Sequence, residues 1–343
     1  MNETYKRLLK EVEKDHQQLG KEKVLIVDGL NTFIRSWTVN PTMDDNGDHI
    51  GGIVGFLKGI GYAIREYDCT RCIVVFDGKG GSKSRKQLYS GYKENRGNNR
   101  FRVNRAYADL MNPEEEGESM KRQMIGLFEL LEYLPVEVML YDGIEADDVM
   151  GYIASQLLRE DENAVLMSAD KDFLQLVNER VKVYSPTKKK LYDTDLVLAE
   201  YGIHPTNFMV FRTLDGDKSD NIDGISGCGI KTIIKRFPEV VKEEEVTIDK
   251  LFELCEERKD ESKIYKTILD GKKIVERNFQ LMQLSDPNIP TNKKITINDK
   301  YLVKSEKLDK LGFIKKAMGM KVINAFGDVN SWIQTTFAKL HNK

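Results

Sequence analysis

Four short apolar runs in this chain lead directly into acid: KVLIVDGLN from Lys23, RCIVVFDGKG from Arg71, VEVMLYDGIEADD from Val136 and NAVLMSADKDF from Asn163. Each is β-branched-rich and of a length suited to a strand buried on both faces. Helical patterns separate them: GIVGFLKGIGYAIREY, SMKRQMIGLFELLEYL and DDVMGYIASQLLRE. Strands alternating with helices predict an α/β fold with a mainly parallel central sheet flanked by helices. In such sheets the carboxyl ends of the strands share one edge, where ligands bind. Asp28, Asp77, Glu145, Asp147, Asp148, Asp170 and Asp172 are therefore expected to converge there. One aspartate after a strand is an ordinary turn residue. Helix capping explains one of the acids in EADDV, but not three in four positions. Seven carboxylates in one cleft repel one another unless cations neutralise them, and hard divalent ions such as Mg²⁺ or Mn²⁺ suit oxygen ligands.

Downstream of the sheet, LDGDKSDNIDGISGCGIKT (214–232) sets Asp217 and Asp220 beside glycines 224, 227 and 229. Such a turn before a helix predicts a hairpin between short helices whose backbone N–H groups approach a phosphate, with Lys231, Thr232 and Lys235 in the first turns that follow. The net charge of −2 hides segregation. Residues 79–105 carry nine Lys or Arg, Lys83 and Lys93 among them, against the single acid Glu94. Tyr89, Tyr92 and Phe101 are interleaved, the make-up of a segment that binds single-stranded nucleic acid.

Other classes drop out. In DGKGGSKS, Ser82 stands where a phosphate-binding P-loop needs glycine before the lysine. DGLN after the first strand lacks the D-x-D of haloacid-dehalogenase-like phosphatases. Cys69 and Cys72 form a lone C-x-x-C without a second ligand pair, so buried thiols are expected. No apolar run approaches the roughly 18 residues of a membrane span. The first 23 residues are polar, which predicts no secretory signal and cytoplasmic residence.

IVDGLNTFIR, VVFDGKG, YKENR, GIEADDV, SADKDFLQL and GDKSDNIDGISGCGIKT occur in this order over about residues 22–285. In them the chain resembles the 5′ nucleases, or flap endonuclease superfamily. These include phage 5′→3′ exonucleases, phage RNase H enzymes and the 5′-nuclease domain of bacterial DNA polymerase I. The resemblance implies a PIN-like catalytic domain over 22–200 with a helical arch at about 79–120. A helix-three-turn-helix DNA-binding subdomain over 201–290 would follow, leaving 1–21 as a polar helical extension and 291–343 as an extension of unknown role. It also implies metal ligands at Asp28, Asp77, Glu145, Asp147, Asp148, Asp170, Asp172, Asp217 and Asp220, holding two Mg²⁺, for which Mn²⁺ substitutes. Lys93 and Arg96 would act from the arch, with Asp170 and Asp172 in the inner metal cluster. Arg35 would lie near the scissile phosphate, and Gly224, Gly227 and Gly229 would hold duplex backbone through a K⁺ ion. Cys228 departs from the family pattern, in which an apolar residue is commoner. The activity implied is two-metal-ion hydrolysis of 5′ flaps, nicked or gapped DNA and RNA–DNA hybrids by a monomer, removing primers in phage replication. A non-catalytic DNA-binding subunit would tolerate losing the acids. A PIN-like ribonuclease would be shorter and would lack both the arch and GISGCGIKT. The C-terminal INAFGDVNSWIQTTFAKL is expected to pack on its own domain, with docking of a sliding clamp or single-strand-binding protein as the alternative.

Overall fold

Strand β1 (Glu22–Asp28) is buried from Val24 onward, as an apolar run covered on both faces must be. It lies inside a six-stranded sheet. On one side are β2 (Arg71–Asp77) and β3 (Glu137–Tyr141); on the other are β4 (Glu162–Met167), β5 (Val181–Ser185) and β6 (Lys190–Tyr192). The first five strands are parallel and β6 is antiparallel, with Ile26 opposite Ile73 and Leu166. This computed structural model describes residues 22–95, 113–305 and 307–341. The expected extension at 1–21, Arg96, Phe101 and much of the expected arch lie outside the described residues.

The predicted crossovers are helical. Helices α1 (Gly29–Val39) and α2 (Gly51–Glu66) join β1 to β2, and α3 (Lys83–Leu88) and α4 (Pro113–Leu131) lie between β2 and β3. Helix α5 (Ala146–Tyr152) continues through a π-helical turn to Leu157 before β4. Because β2 and β4 flank β1 on opposite sides, the chain changes direction across the sheet at the carboxyl ends of β1 and β4. A crevice opens at such a switch point. The period of two along the strands divides the core. Val24, Ile26, Ile73 and Val75 face one apolar cluster, while Leu25, Val27, Val74 and Phe76 face the other.

The first face is covered by α5 and by the helices that follow the sheet: α6 (Thr194–Tyr201), α7 (Phe208–Asp215), α8 (Ile230–Arg236), α9 (Ile248–Arg258), α10 (Lys263–Asp270), α11 (Lys272–Met282) and α12 (Thr291–Leu302). Phe208, Leu251, Ile268 and Val275 from this stretch share one core with the strands. On the second face, α13 (Lys310–Gly319) and α14 (Val329–His341) join α1, α2 and α4. Phe313, Phe326 and Phe337 are buried there, and the Trp332 ring lies 4.5 Å from that of Phe326. The tail aromatics thus pack on the core of their own chain.

At the amino ends of the strands every buried acid is paired. Arg71 makes a two-pronged pair with Glu137 at 2.8 and 2.7 Å and donates to the Tyr301 carbonyl. Arg159 and Lys304 hold Glu22, and the Tyr301 hydroxyl donates to Glu162 at 2.6 Å. These contacts pin α12 beneath the sheet. Among the described residues no helix is long and apolar enough to cross a membrane.

Candidate active site

The carboxyl ends of the strands present the opposite picture. Asp28 ends β1 and caps α1, its Oδ1 accepting from the Asn31 amide at 3.0 Å and its Oδ2 from Ser168 Oγ at 3.0 Å. Ser168 follows β4, so this bond closes across the switch point. Asp77 ends β2 and accepts the Ala146 amide at 2.7 Å, which fixes the start of α5. Asp170 caps the short 3₁₀ helix Lys171–Leu176 by accepting from the Asp172 amide at 2.8 Å. Asp147 stands in the first turn of α5, and no donor among the described residues hydrogen-bonds its carboxylate.

Asp28, Asp77, Asp147 and Asp170 line one open cavity of about 560 Å³ together with Lys93, Asn95, Arg35, Leu30 and Ile34. Behind it, Asp147 and Asp170 also line a crevice of about 20 Å³, shared with Asp172, Asp220, Arg85 and Tyr92. Among the described residues no Lys or Arg forms a salt bridge with any of the four cavity aspartates, in contrast to the amino-terminal edge. Burial, reinforced by Asp77 and Asp170, pushes the Asp28 carboxyl up to about 7 despite its two hydrogen bonds. Asp147 is pushed well above the usual carboxylate range by burial and then by Asp28 and Asp170. Asp172 rises to about 7, through burial and then through Asp170. The donor set is all oxygen and under-neutralised, which is the chemistry of a hard divalent cation site. Among the described residues no three Asp, Glu, His or Cys side chains stand close enough together to hold a metal ion unaided. Carboxylates with no ion between them repel one another.

Glu145, Asp148, Asp172 and Asp217 are held by the chain's own cations. Glu145 accepts from Arg85 Nη1 at 2.6 Å, Lys93 Nζ at 2.6 Å and the Tyr92 hydroxyl at 2.9 Å. Burial opposes its ionisation, but Arg85 and Lys93 outweigh this and hold its carboxyl below the usual range. Asp148 faces away from the cavity into a bidentate pair with Arg85 at 2.6 and 2.7 Å. Arg212, fully buried on α7, donates to Asp172 through Nε and to Asp217 at 2.6 Å through Nη2.

A family model described as "5'-3' exonuclease, N-terminal resolvase-like domain" matches residues 23–202. The chain belongs to the 5′-3′ exonuclease family. A 5′-3′ exonuclease of Buchnera aphidicola subsp. Acyrthosiphon pisum is 30% identical over 221 residues, 63% of this chain and 71% of the relative. The thermostable DNA polymerase I of Thermus filiformis is 31% identical over 64% of this chain, which matches only 24% of that longer protein. The fold is similar to that of bacteriophage T5 flap endonuclease, solved as a pseudo-enzyme-product complex with DNA and metal ions. That likeness has a TM-score of 0.61 at 22% identity and covers 87% of this chain and 100% of the other.

The other residues singled out from the sequence occupy different settings. Tyr92, expected among rings free to stack on bases, is buried with its hydroxyl on Glu145. Asp148 is turned out of the cavity by Arg85. Arg35 reaches the cavity wall but is tied to Thr187 Oγ1 at 3.0 Å and the Pro186 carbonyl at 2.8 Å. At Gly224 a Cβ would lie 2.3 Å from the Asp215 carbonyl oxygen, so this close approach of two chain segments requires glycine. Gly227 supplies a left-handed turn at φ +83°, and Gly229 has open space beside it. Lys231 and Lys235 are exposed on α8, Thr232 is half-buried, and Lys83 is exposed on α3. Cys228 turns into the core, where burial pushes its thiol up to about 12. Cys69 and Cys72 are free and buried, as expected.

Arg85 and Arg212 were not singled out from sequence. For Arg212 a signal existed, because an arginine inside the apolar run FMVFRTL needs a buried counter-charge.

The raised aspartates fix a pH dependence. Asp28 holds its proton in the fold up to about 7 and Asp147 well above the usual carboxylate range, whereas the unfolded chain releases both near 3.8. Folding stability conferred by these groups is full below the lower value and is lost as pH rises through the upper one. In chelator, Tm is expected to fall by several degrees between pH 5 and pH 8. A flat or rising Tm across that window would remove the charge-crowding account.

Proposed function

We propose that the protein is a metal-dependent, structure-specific 5′ nuclease acting as a 5′→3′ exonuclease and flap endonuclease. The observation that carries this reading is the cavity at the switch point, where four aspartates that make no salt bridge among the described residues stand with the half-buried Lys93. A phosphodiester is an anion and is repelled by bare carboxylates, so an acid-lined cavity that cuts it must acquire positive charge. Asp28, Asp77, Asp147 and Asp170 would hold divalent ions, Mg²⁺ or Mn²⁺, with Asp172, Glu145, Asp217 and Asp220 around them. When bound, such ions neutralise the carboxylates and substrate phosphate and lower the pKa of a water.

The chain's own groups supply the remainder. Burial alone would discharge Lys93, but Glu145, Asp147 and Asp220 keep it protonated, so it meets the scissile phosphate as a cation. Arg35 lies on the cavity wall as a second anchor for phosphate. Asn31 and Ser168 orient Asp28. The exposed Lys231 and Lys235 would meet duplex backbone. A K⁺ ion at the 224–229 turn would rest on carbonyls alone, since the Cys228 thiol is buried. RNA–DNA hybrids and primer removal in phage replication extend the same reading.

The test is one incubation with 5′-labelled flap, nicked and RNA–DNA substrates, in Mg²⁺ or in EDTA. Cleavage is expected in Mg²⁺ and none in EDTA. Tight binding without cleavage in either condition would replace the proposal with a DNA-binding subunit.

A further inference from the structure

Two non-glycine residues in left-handed backbone conformations face each other beside the cavity. Lys93 has φ +55° and Asn221 has φ +59°, two of five such residues in the described chain. A non-glycine residue in that region is strained and persists where surrounding contacts hold it. Those contacts run between two segments. The Lys93 amide donates to the Asp220 carbonyl at 2.9 Å. Asn221 Nδ2 donates to the Gly91 carbonyl at 2.8 Å, and Asn221 Oδ1 accepts from Asn95 Nδ2 at 2.9 Å. Gly91 lies so near that a Cβ on it would be 3.1 Å from Asn221 Nδ2 and 2.9 Å from the Tyr89 ring. Below the joint, Tyr92 and Ile222 pack in one small apolar cluster with Leu281 and Met282.

We infer that Asn221 is a positioning residue. Its side-chain amide clasps residues 91–95 to the Asp217–Asp220 loop, and so sets where the Lys93 ammonium stands relative to Glu145 and the cavity. The chemistry requires an amide at this position. One side of the clasp needs a donor for a carbonyl and the other needs an acceptor for an amide, and both must come from a residue that tolerates the left-handed region. Aspartate keeps the shape and the acceptor but loses the donor, and it adds charge beside Asp217 and Asp220. Glycine keeps the backbone conformation and loses both side-chain bonds. The proposal rests on the nuclease reading for its kinetic consequence, but not for its structural one.

The experiment uses the full chain as wild type, Asn221→Gly and Asn221→Asp. It measures single-turnover cleavage of a 5′ flap in Mg²⁺, Kd for the same DNA in Ca²⁺, Tm, and hydrogen exchange of the Lys93 amide without DNA. Both variants are expected to cleave about tenfold to a hundredfold more slowly, as loss of one or two hydrogen bonds that hold a cationic group implies. Kd is expected to stay within about threefold and Tm within about 4 °C, while the Lys93 amide exchanges at least about tenfold faster. A merely structural asparagine would lower Tm and leave the cleavage rate of bound substrate unchanged. Wild-type cleavage by Asn221→Gly, or unaltered Lys93 exchange in both variants, overturns the proposal. If wild type itself cuts nothing, the nuclease reading falls, and the exchange measurement still decides whether the clasp exists.

Discussion

Asp147→Asn is expected to lower Mg²⁺-dependent cleavage by a thousandfold or more, about 4 kcal/mol, while raising the thermal stability of the chelated protein. The two effects have one cause. The carboxylate of Asp147 has no hydrogen-bond donor among the described residues, and burial with Asp28 and Asp170 pushes its proton affinity well up. Held ionised at neutral pH, it destabilises the fold; held beside a divalent ion, it serves the chemistry. An uncharged amide of the same shape removes the repulsion and the ligand together. Relief of roughly 1 kcal/mol corresponds to about 2–4 °C in Tm for a chain of this size or somewhat smaller. Thermal melts in EDTA and single-turnover assays on one preparation read both. A variant that melts lower than wild type, or that retains cleavage within tenfold, would show that Asp147 is an ordinary helix-start acid.

Arg212→Met is expected to be the most destabilising change at the site. The guanidinium is fully buried and joins Asp172, which follows β4, to Asp217 in the loop after α7. It also donates to the Gly216 carbonyl at 2.8 Å. Replacing such a pair as a whole can be nearly neutral, but removing one partner leaves charge stranded and costs about 3–5 kcal/mol. A fall in Tm on the order of 10 °C follows in chelator. Restoring positive charge by other means should repair part of it, so Mg²⁺ is expected to raise the variant's Tm more than it raises that of wild type. The double change Arg212→Met with Asp172→Asn should lie closer to wild type than the sum of the single changes, because it also removes an orphaned carboxylate. Urea unfolding of the single and double variants measures the coupling. Additive single effects would mean that the Arg212–Asp172 contact carries no energy of its own.

The first four strands and the helices between them were legible in the sequence because their signals are local, whereas β5 and β6 were not singled out. A β-branched run reports burial on both faces, and an acid at its end reports position along the strand. Parallel pairing then forces Asp28, Asp77 and Asp170 to one edge whatever the rest of the chain does. Side-chain direction was less legible. In YKENR, Tyr92 reads as a ring in a basic, solvated segment, yet its hydroxyl meets Glu145 across 53 residues of sequence. Asp147 and Asp148 look equivalent in EADDV, yet adjacent helical residues point about 100° apart. One therefore faces the cavity and the other faces Arg85. The three glycines of GISGCGIKT also look alike. Gly224 is required by its own neighbouring carbonyl, Gly227 by a left-handed turn, and Gly229 by neither.

What the sequence determined alone was the alternation of the first four strands with helices and the edge of the sheet on which the acids gather. Both follow from hydrophobic period and chain direction, which act over a few residues. The tertiary structure decided which acids lack a salt bridge among the described residues. Arg85, Lys93 and Arg212 neutralise Glu145, Asp148, Asp172 and Asp217, and leave Asp28, Asp77, Asp147 and Asp170 exposed to one another's charge. That division depends on contacts between segments far apart in the chain, where charges separated along the sequence become neighbours in a medium too poor in water to screen them.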